Sequence, residues 1–371
     1  MQARLDVTVI TGSPGTDGGR AFNQLIKHAG EARLSAIVPK RGKKRNRSSG
    51  DVTVIPTTEQ LVQLGQGCSC CTVRGDLMAK LQRIARDQSA DHVLIHAAPH
   101  ADLRTLAKTF TVADQNGSVL SDVARIGSFV TVVRAAQFFD TVGGKGARAL
   151  VERVELGNVV LVEDTVGVGE EELSLVCSAI KALNAGATIV VVDDAELKLS
   201  SLHTAQDFDL DLAEQRAAGS VALDDRSGET LRFSFQARRP FHPARLHAAL
   251  DEGWTGLLRM KGTFWVATMP DFLCSLDVTG GSQTSSLEGQ WWATVSAHER
   301  PDNPNLKRYL ETIWHPDFGD RHQNISIVGV GLGEAEVRSR LDAALLTDEE
   351  LASRENWASM PDPFPWPALN S

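Results

Sequence analysis

Seven short runs rich in β-branched residues, LDVTVITG, LSAIV, DVTVIP, HVLIHAA, FVTVV, NVVLVED and ATIVVVD, follow one another through the first half of the chain. Between them lie segments with helical spacing of apolar residues, such as RAFNQLIKHA, EEELSLVCSAIKALNAG and GDLMAKLQRIARDQ. The last of these puts Leu77, Leu81 and Ile84 on one face. Strands this apolar need cover on both faces, and helices crossing between parallel strands provide it. With few hairpin signals between the runs, the alternation predicts an α/β domain built on a mostly parallel sheet.

At 371 residues the chain exceeds the usual size of one domain. From Ala195 to about Thr230 the texture turns polar, acidic and irregular, which reads as a linker. Beyond it come the strand-like LRFSFQA, GLLRMKGTFWVAT, CSLDVTG and QNISIVGVG, a helix beginning HPARLHAAL and a late helix GEAEVRSRLDAALL. These predict a smaller α+β domain, and it contains all seven tryptophans. The expected boundaries are 1–195, 196–230 and 231–371, and the proline-rich PDPFPWPALNS reads as an extended tail.

A formal net charge of -9 opposes broad attraction to phosphate backbones, so DNA is not an expected partner. The exception is the run Lys40 to Arg47 in PKRGKKRNRSSGD, which reads as a solvated loop. No window approaches ~18 consecutive apolar residues, and the N-terminus lacks the order of a signal peptide. The expected location is the cytoplasm, without membrane attachment. Thiols stay reduced there, so clustered cysteines point to metal binding or redox chemistry rather than to disulfides.

The first turn, TGSPGTDGGRAF, lies between a strand and a helix, where a phosphate-binding loop would lie. Such loops aim backbone N–H groups and a helix N-terminus at the phosphates, with a lysine on the outer ones and Ser/Thr on magnesium. Gly12, Gly15, Gly18, Gly19 and Arg20 are the candidate contacts, but Gly18 and Gly19 stand in the lysine and Ser/Thr places. Arg20 is two positions late, and Lys145 in GGKGAR lacks the surrounding pattern. Two readings stand: a degenerate nucleotide site, or a plain glycine-rich connection.

The stretch GQGCSCCTVRGDL packs Cys68, Cys70 and Cys71 into four positions. Thiolates two or three residues apart converge on one tetrahedral ion, and three of them leave one position open, which suits transfer better than a closed four-thiolate site. Packing as small apolar residues is an alternative, and so is a redox role with Arg74 lowering a thiol pKa. His96 and His100, in IHAAPHAD, are candidates for a fourth ligand. Cys177 and Cys274 read as core. His242 reads as a residue that caps and packs a helix start, and His315, Asp320, Arg321 and His322 as a loop-fixing cluster. Trp265, Trp291 and Trp292 fit either core or a partner-facing surface.

The order of strand, glycine loop and helix, then GCSCCTVRGDL, FVTVVRAAQFF, RRPFHPARLH, GLLRMKGTFWVATMPD and HPDFGDRHQ, resembles the CobW family of metallochaperone GTPases from about Val7 to Leu351. The resemblance implies a P-loop GTPase-like domain followed by a smaller C-terminal domain. It also implies delivery of zinc, or alternatively iron or cobalt, to a client metalloprotein, with Cys68, Cys70 and Cys71 matching the metal motif and Gly12 and Gly15 the phosphate loop. The departures fall on the nucleotide machinery. The acidic stretch after the second strand is replaced by PKRGKKRNR, and Glu-Thr-Ser/Thr-Gly by His96, Ala97, Ala98 and Pro99. Arg134 stands for the aspartate of Val-Val-Asp-Ala, and Glu163 to Val166 for the guanine-reading motif. Together they imply a GTPase-like protein without efficient hydrolysis and leave the binding of GTP open. The alternatives are a slow GTPase, an adaptor touching the ribosome through its basic loop, and an activator of one metalloenzyme such as nitrile hydratase.

Overall fold

The computed structural model describes residues 4–29, 32–39, 53–57, 70–98, 101–113, 117–192, 196–202, 207–217, 225–227 and 229–367. The chain forms two compact units, 1–217 and 218–371, except that the short segment Val142–Arg148 groups with the second. Among the described residues, no helix is long and apolar enough to cross a membrane.

The first unit runs β1 (Leu5–Gly12), α1 (Gly19–Lys27), β2 (Leu34–Pro39), β3 (Thr53–Thr57), α2 (Cys70–Asp87), β4 (His92–His96), α3 (Leu103–Thr111), β5 (Ala124–Arg134), α4 (Phe138–Gly143), α5 (Ala147–Leu156), β6 (Val159–Glu163), α6 (Glu170–Leu183), β7 (Thr188–Val191) and α7 (Leu210–Ala217). The strands form one sheet in the order β3-β2-β4-β1-β5-β6-β7, and every pairing is parallel. The period-two alternation of a strand divides β1 between two cores. Val7 and Val9 pack with Val93, Ile95 and the α2 residues Leu77, Leu81 and Ile84, while Ile10 packs with Phe22 and Leu25 of α1 and with Leu94, Val130 and Leu161. Both faces are therefore covered, as a buried parallel sheet requires.

The polar stretch after Ala195 differs in part from the expected linker. Leu197 and Leu202 are buried in the first unit's core, and Ala213 of α7 is buried against its other face. The Phe208 N–H donates to the Gly127 carbonyl at 3.1 Å, and its ring lies 5.1 Å from that of Phe129. A few apolar residues in an acidic run suffice to seat it, since the charged ones face solvent.

The second unit runs β8 (Asp225–Ser227), β9 (Thr230–Ala237), α8 (Pro243–Asp251), β10 (Leu257–Phe264), β11 (Phe272–Thr279), β12 (Ser282–Gln290), α9 (Pro304–Ile313), β13 (Gln323–Val330), α10 (Glu334–Ala344) and α11 (Asp348–Ala352). Its antiparallel sheet has the order β12-β11-β10-β13-β9-β8. Leu246 and Leu250 of α8 and Val337 and Leu341 of α10 join Phe233, Phe235, Met260, Ile325 and Ile327 in one core. Up to Pro367 the proline-rich end does not hang free. Phe364 is buried, its ring stacks on Trp366 at 5.1 Å and lies 5.9 Å from Phe264, and Asp362 accepts from the Trp366 indole and the Phe364 N–H. Two aromatic rings hold a segment whose prolines forbid regular structure.

Thr347 and Glu350 form a capping box at the start of α11, and the Arg245 guanidinium grips both Glu350 carboxylate oxygens at 2.8 and 2.6 Å. Hydrogen bonding to Arg245, followed by the Thr347 N–H and against an opposing effect of burial, holds the Glu350 carboxyl down at about 2. Folding thus favours its charged form. That contribution is complete above the ordinary Glu value of 4.5 and fades as pH falls toward 2. Urea denaturation from about pH 6 to pH 3 is expected to show the parent losing more stability than Glu350→Gln, because the variant lacks the titrating group. Parallel losses in the two proteins would contradict this role.

Candidate functional site

The carboxyl ends of β1, β4, β5 and β6 lie side by side, the position where open α/β sheets place their ligands. The loop leaving β1 turns on Gly12 and Gly18. A Cβ at Gly12 would lie 2.2 Å from the Thr16 carbonyl oxygen, and Gly18 caps α1 with φ +73°, the left-handed region that only glycine adopts at little cost. Together with β5 and β6, the loop walls a cleft of about 410 Å³ lined by Gly15, Thr16, Asp17, Arg20, Arg134, Glu163 and Asp164. Of the five loop residues singled out from sequence, Gly15 and Arg20 line it, Gly12 and Gly18 shape the turn, and Gly19 begins α1.

Several of the loop's polar groups are satisfied internally. The Asp17 carboxylate accepts the Gly19 N–H at 2.9 Å, so it sits at the positive end of α1. The Thr16 hydroxyl accepts the Gly18 N–H at 3.2 Å and donates to Glu163 at 3.0 Å. The Asp17 carbonyl is 2.7 Å from His96 Nε2, which must therefore carry the proton, and the His96 ring stacks on Phe22 at 5.0 Å. Arg134 donates to Asp164 at 2.5 and 3.0 Å and to Gln137 at 3.1 Å. Asp164 itself has φ +59°, a conformation Asp tolerates better than most residues. From below, the buried Arg153 donates to the Gly12 carbonyl, and desolvation pushes its pKa down.

These residues do not fit a nucleoside triphosphate. Three carboxylates, Asp17, Glu163 and Asp164, line the cleft with two guanidiniums, Arg20 and Arg134, and Arg134 is already paired with Asp164. The Gly18 and Gly19 N–H groups, which would point at phosphate, already have acceptors on Thr16 and Asp17. Val166, in the stretch standing for the guanine-reading motif, is 80% exposed and carries no polar group to read a base.

Cys68 and His100 lie outside the described residues, as does the basic run Lys40 to Arg47. Cys70 and Cys71 open α2 as backbone, and their side chains, like that of Arg74, also lie outside them. Among the described residues, no group of three or more His, Cys, Asp or Glu could hold a metal ion. His96 Nε2, committed to the Asp17 carbonyl, offers no lone pair. Cys274 is fully buried in the second unit, where desolvation and Asp362 push its thiol up to about 12, and the half-buried Cys177 is also raised by desolvation.

In the second unit the polar cluster fixes loops. Asp320, 3% exposed, accepts the Trp292 and Ala293 N–H groups at 2.9 and 2.8 Å. His315 Nδ1 accepts the Asp317 N–H, and His322 Nδ1 pairs with the Asp320 carbonyl. Arg321 donates to the Pro270 and Phe318 carbonyls. His242 is the N-cap residue of α8, with Pro243 next and no side-chain cap bond, and burial followed by Arg245 depresses its pKa. Trp265 and Trp291 are core, and Trp292 is half-buried.

Residues 6–191 match the family described as CobW/HypB/UreG, nucleotide-binding domain, and residues 232–345 match the cobalamin synthesis protein cobW C-terminal domain. The chain belongs to the CobW family. A zinc-regulated GTPase metalloprotein activator of Dictyostelium discoideum is 27% identical over 336 residues, 82% of this chain and 70% of that one. A zinc chaperone of Mycobacterium tuberculosis is 29% identical over 322 residues, 83% of this chain and 80% of that one. The zinc-bound YjiA GTPase of E. coli overlies 93% of this chain and 100% of its own at 14% identity, with a TM-score of 0.42.

Within this CobW chain, Asp17, Thr16 and Arg153 are the site residues that motif reasoning missed. Asp17 had a local signal, an acidic residue just ahead of a helix start. Arg153 had a weaker one, an arginine set among the apolar and acidic residues of LVERVEL. The left-handed turn also predicts that lysine cannot simply be put back. Gly18→Lys is expected to lower stability by about 1 kcal/mol in urea denaturation, and equal or higher stability would contradict a φ of +73° at that position.

Proposed function

We propose that this CobW-family protein holds a zinc ion through Cys68, Cys70 and Cys71 and passes it to a client metalloprotein, without efficient hydrolysis of GTP. The observation that carries the reading is a single chain with both CobW domains and the G-C-x-C-C motif, whose glycine loop has its own side chains on the N–H groups a phosphate needs. Two relatives named for zinc regulation and zinc chaperoning support zinc as the cargo, and the name metalloprotein activator supports a client that becomes functional on loading. The expected site of this exchange is the cytoplasm, where the thiols stay reduced.

Transfer follows from the chemistry of three thiolates. Zinc takes four ligands, so three cysteines leave one position for water or for a donor from the client. A client thiolate or imidazole enters there, and each cysteine then leaves in turn, with a proton returning to each released thiolate. No step needs a nucleotide. Phosphoryl transfer depends on positioning and charge stabilisation, and Gly18 stands where the lysine would act.

Competitive zinc titration of the reduced protein against a chromogenic chelator, with and without GTP and with phosphate release followed in the same samples, tests this. The expected result is one tightly held zinc ion, indifferent to GTP and lost in the Cys68→Ser, Cys70→Ser, Cys71→Ser variant. Equal zinc affinity in that variant would defeat the metal assignment. Zinc affinity that depends on GTP, accompanied by phosphate release, would make this a working GTPase.

A further inference from the structure

We propose that the Asp17 carboxylate is an internal occupant of the phosphate position, an autoinhibitory contact that keeps nucleotide polyphosphates out of the cleft. This deepens the reading above that the protein does not turn over GTP, and it rests on that reading for its functional meaning.

Several independent observations on the first unit converge on it. The chain belongs to a nucleotide-binding family, and the loop still turns sharply after β1 into a helix, with Gly12 and Gly18 at positions a side chain would disrupt. The helix end that would face a polyanion faces Asp17 Oδ1 instead, 2.9 Å from the Gly19 N–H. A carboxylate and a phosphate oxygen offer that N–H the same interaction, charge-assisted acceptance at the positive end of the helix. The two cannot share one N–H, and in a cleft that also holds Glu163 and Asp164 a phosphate would meet three negative groups.

The contact is braced on both sides of the carboxylate. His96 Nε2 holds the Asp17 carbonyl at 2.7 Å, and Phe22 of α1 stacks on the His96 ring, so the Asp17 backbone is tied to β4 and to the helix whose first N–H its carboxylate accepts. Thr16, the preceding residue, is tied through its hydroxyl to Glu163 at the end of β6. A tethered carboxylate sits at the helix end without the loss of translational freedom that a free anion incurs on binding, so it outcompetes a free phosphate for this position. The loop thereby holds without nucleotide a closed form that would otherwise depend on a bound anion, and metal handling in this chain is uncoupled from nucleotide supply.

Calorimetric titration of the full chain with inorganic pyrophosphate, and separately with magnesium GTP, tests the proposal on the parent, Asp17→Gly and Asp17→Asn. Glycine removes both the occupant and its charge, whereas asparagine keeps the acceptor and removes the charge alone. The parent is expected to bind pyrophosphate at least about tenfold more weakly than Asp17→Gly, with Asp17→Asn between them. Thermal melting gives a second readout. Asp17→Gly is expected to melt below the parent in buffer and to regain the difference in pyrophosphate, to which the parent does not respond. Should the glycine variant fail to fold, Asp17→Asn carries the test through its gain in pyrophosphate affinity over the parent. Pyrophosphate or GTP affinity in the parent equal to that of a folded Asp17 variant overturns the proposal. Phosphate release from magnesium GTP in the same samples reads turnover separately from pyrophosphate affinity, and zinc stoichiometry reads the metal assignment, so failure of this proposal and failure of the reading it rests on are distinguishable.

Discussion

β1 is hydrogen-bonded along both edges, to β4 on one side and β5 on the other, and both of its faces are buried. That double constraint fixes where Gly12 ends and therefore where the glycine loop begins. The Ser13 N–H still pairs with Val132 of β5, and the Ala97 N–H pairs with the Ile10 carbonyl of β1, so the first loop residue is locked to β5 and the end of β4 to β1. Everything at the carboxyl edge of the sheet inherits its position from this central strand. His96 comes from β4, Arg134 from β5, and Glu163 from β6, and each reaches the cleft or its brace because parallel strands end together.

A loop in that position faces a general difficulty, since backbone N–H groups at a buried turn need acceptors. In a nucleotide-binding loop the acceptor is the ligand. In this chain Thr16 and Asp17 supply it, and the local charge balance shifts accordingly, with carboxylates outnumbering guanidiniums around the cleft. Arg153 serves the opposite kind of group, donating from beneath to the Gly12 carbonyl while held in a site that disfavours its charge. At Gly18 and Gly19 the loop is thus served by its own chain.

The second unit meets the same demand with side chains at several of its turns. Gln323, fully buried, accepts the Trp265 N–H and donates to the Arg239 and Trp265 carbonyls, tying β13 to two neighbouring segments. Asp320 closes the Trp292 turn by taking two N–H groups. Residues that look chemically rich in sequence, His315, Asp320, Arg321 and His322, are consumed in holding loops around the Trp265, Trp291 and Phe318 core.

The sequence by itself determined the parallel α/β architecture, the α+β character of the second domain, the amphipathic face of α2 and the three-cysteine motif, because each is written in local periodicity or spacing. Leu77, Leu81 and Ile84 had to face a core wherever that core lay. What the glycine loop would do was only half readable. The missing lysine at position 18 is a local fact, but whether Arg20 or some other group replaced it depends on residues far apart in the chain. Tertiary structure brought Thr16 to Glu163, 147 positions away, and Arg153 to Gly12, 141 positions away. It likewise seated Leu197, Leu202 and Phe364, residues in stretches that read as linker and tail. Contacts of that kind have no periodic trace, since they arise when sheet order places separate strand ends together, and only the folded chain decides which polar group satisfies which.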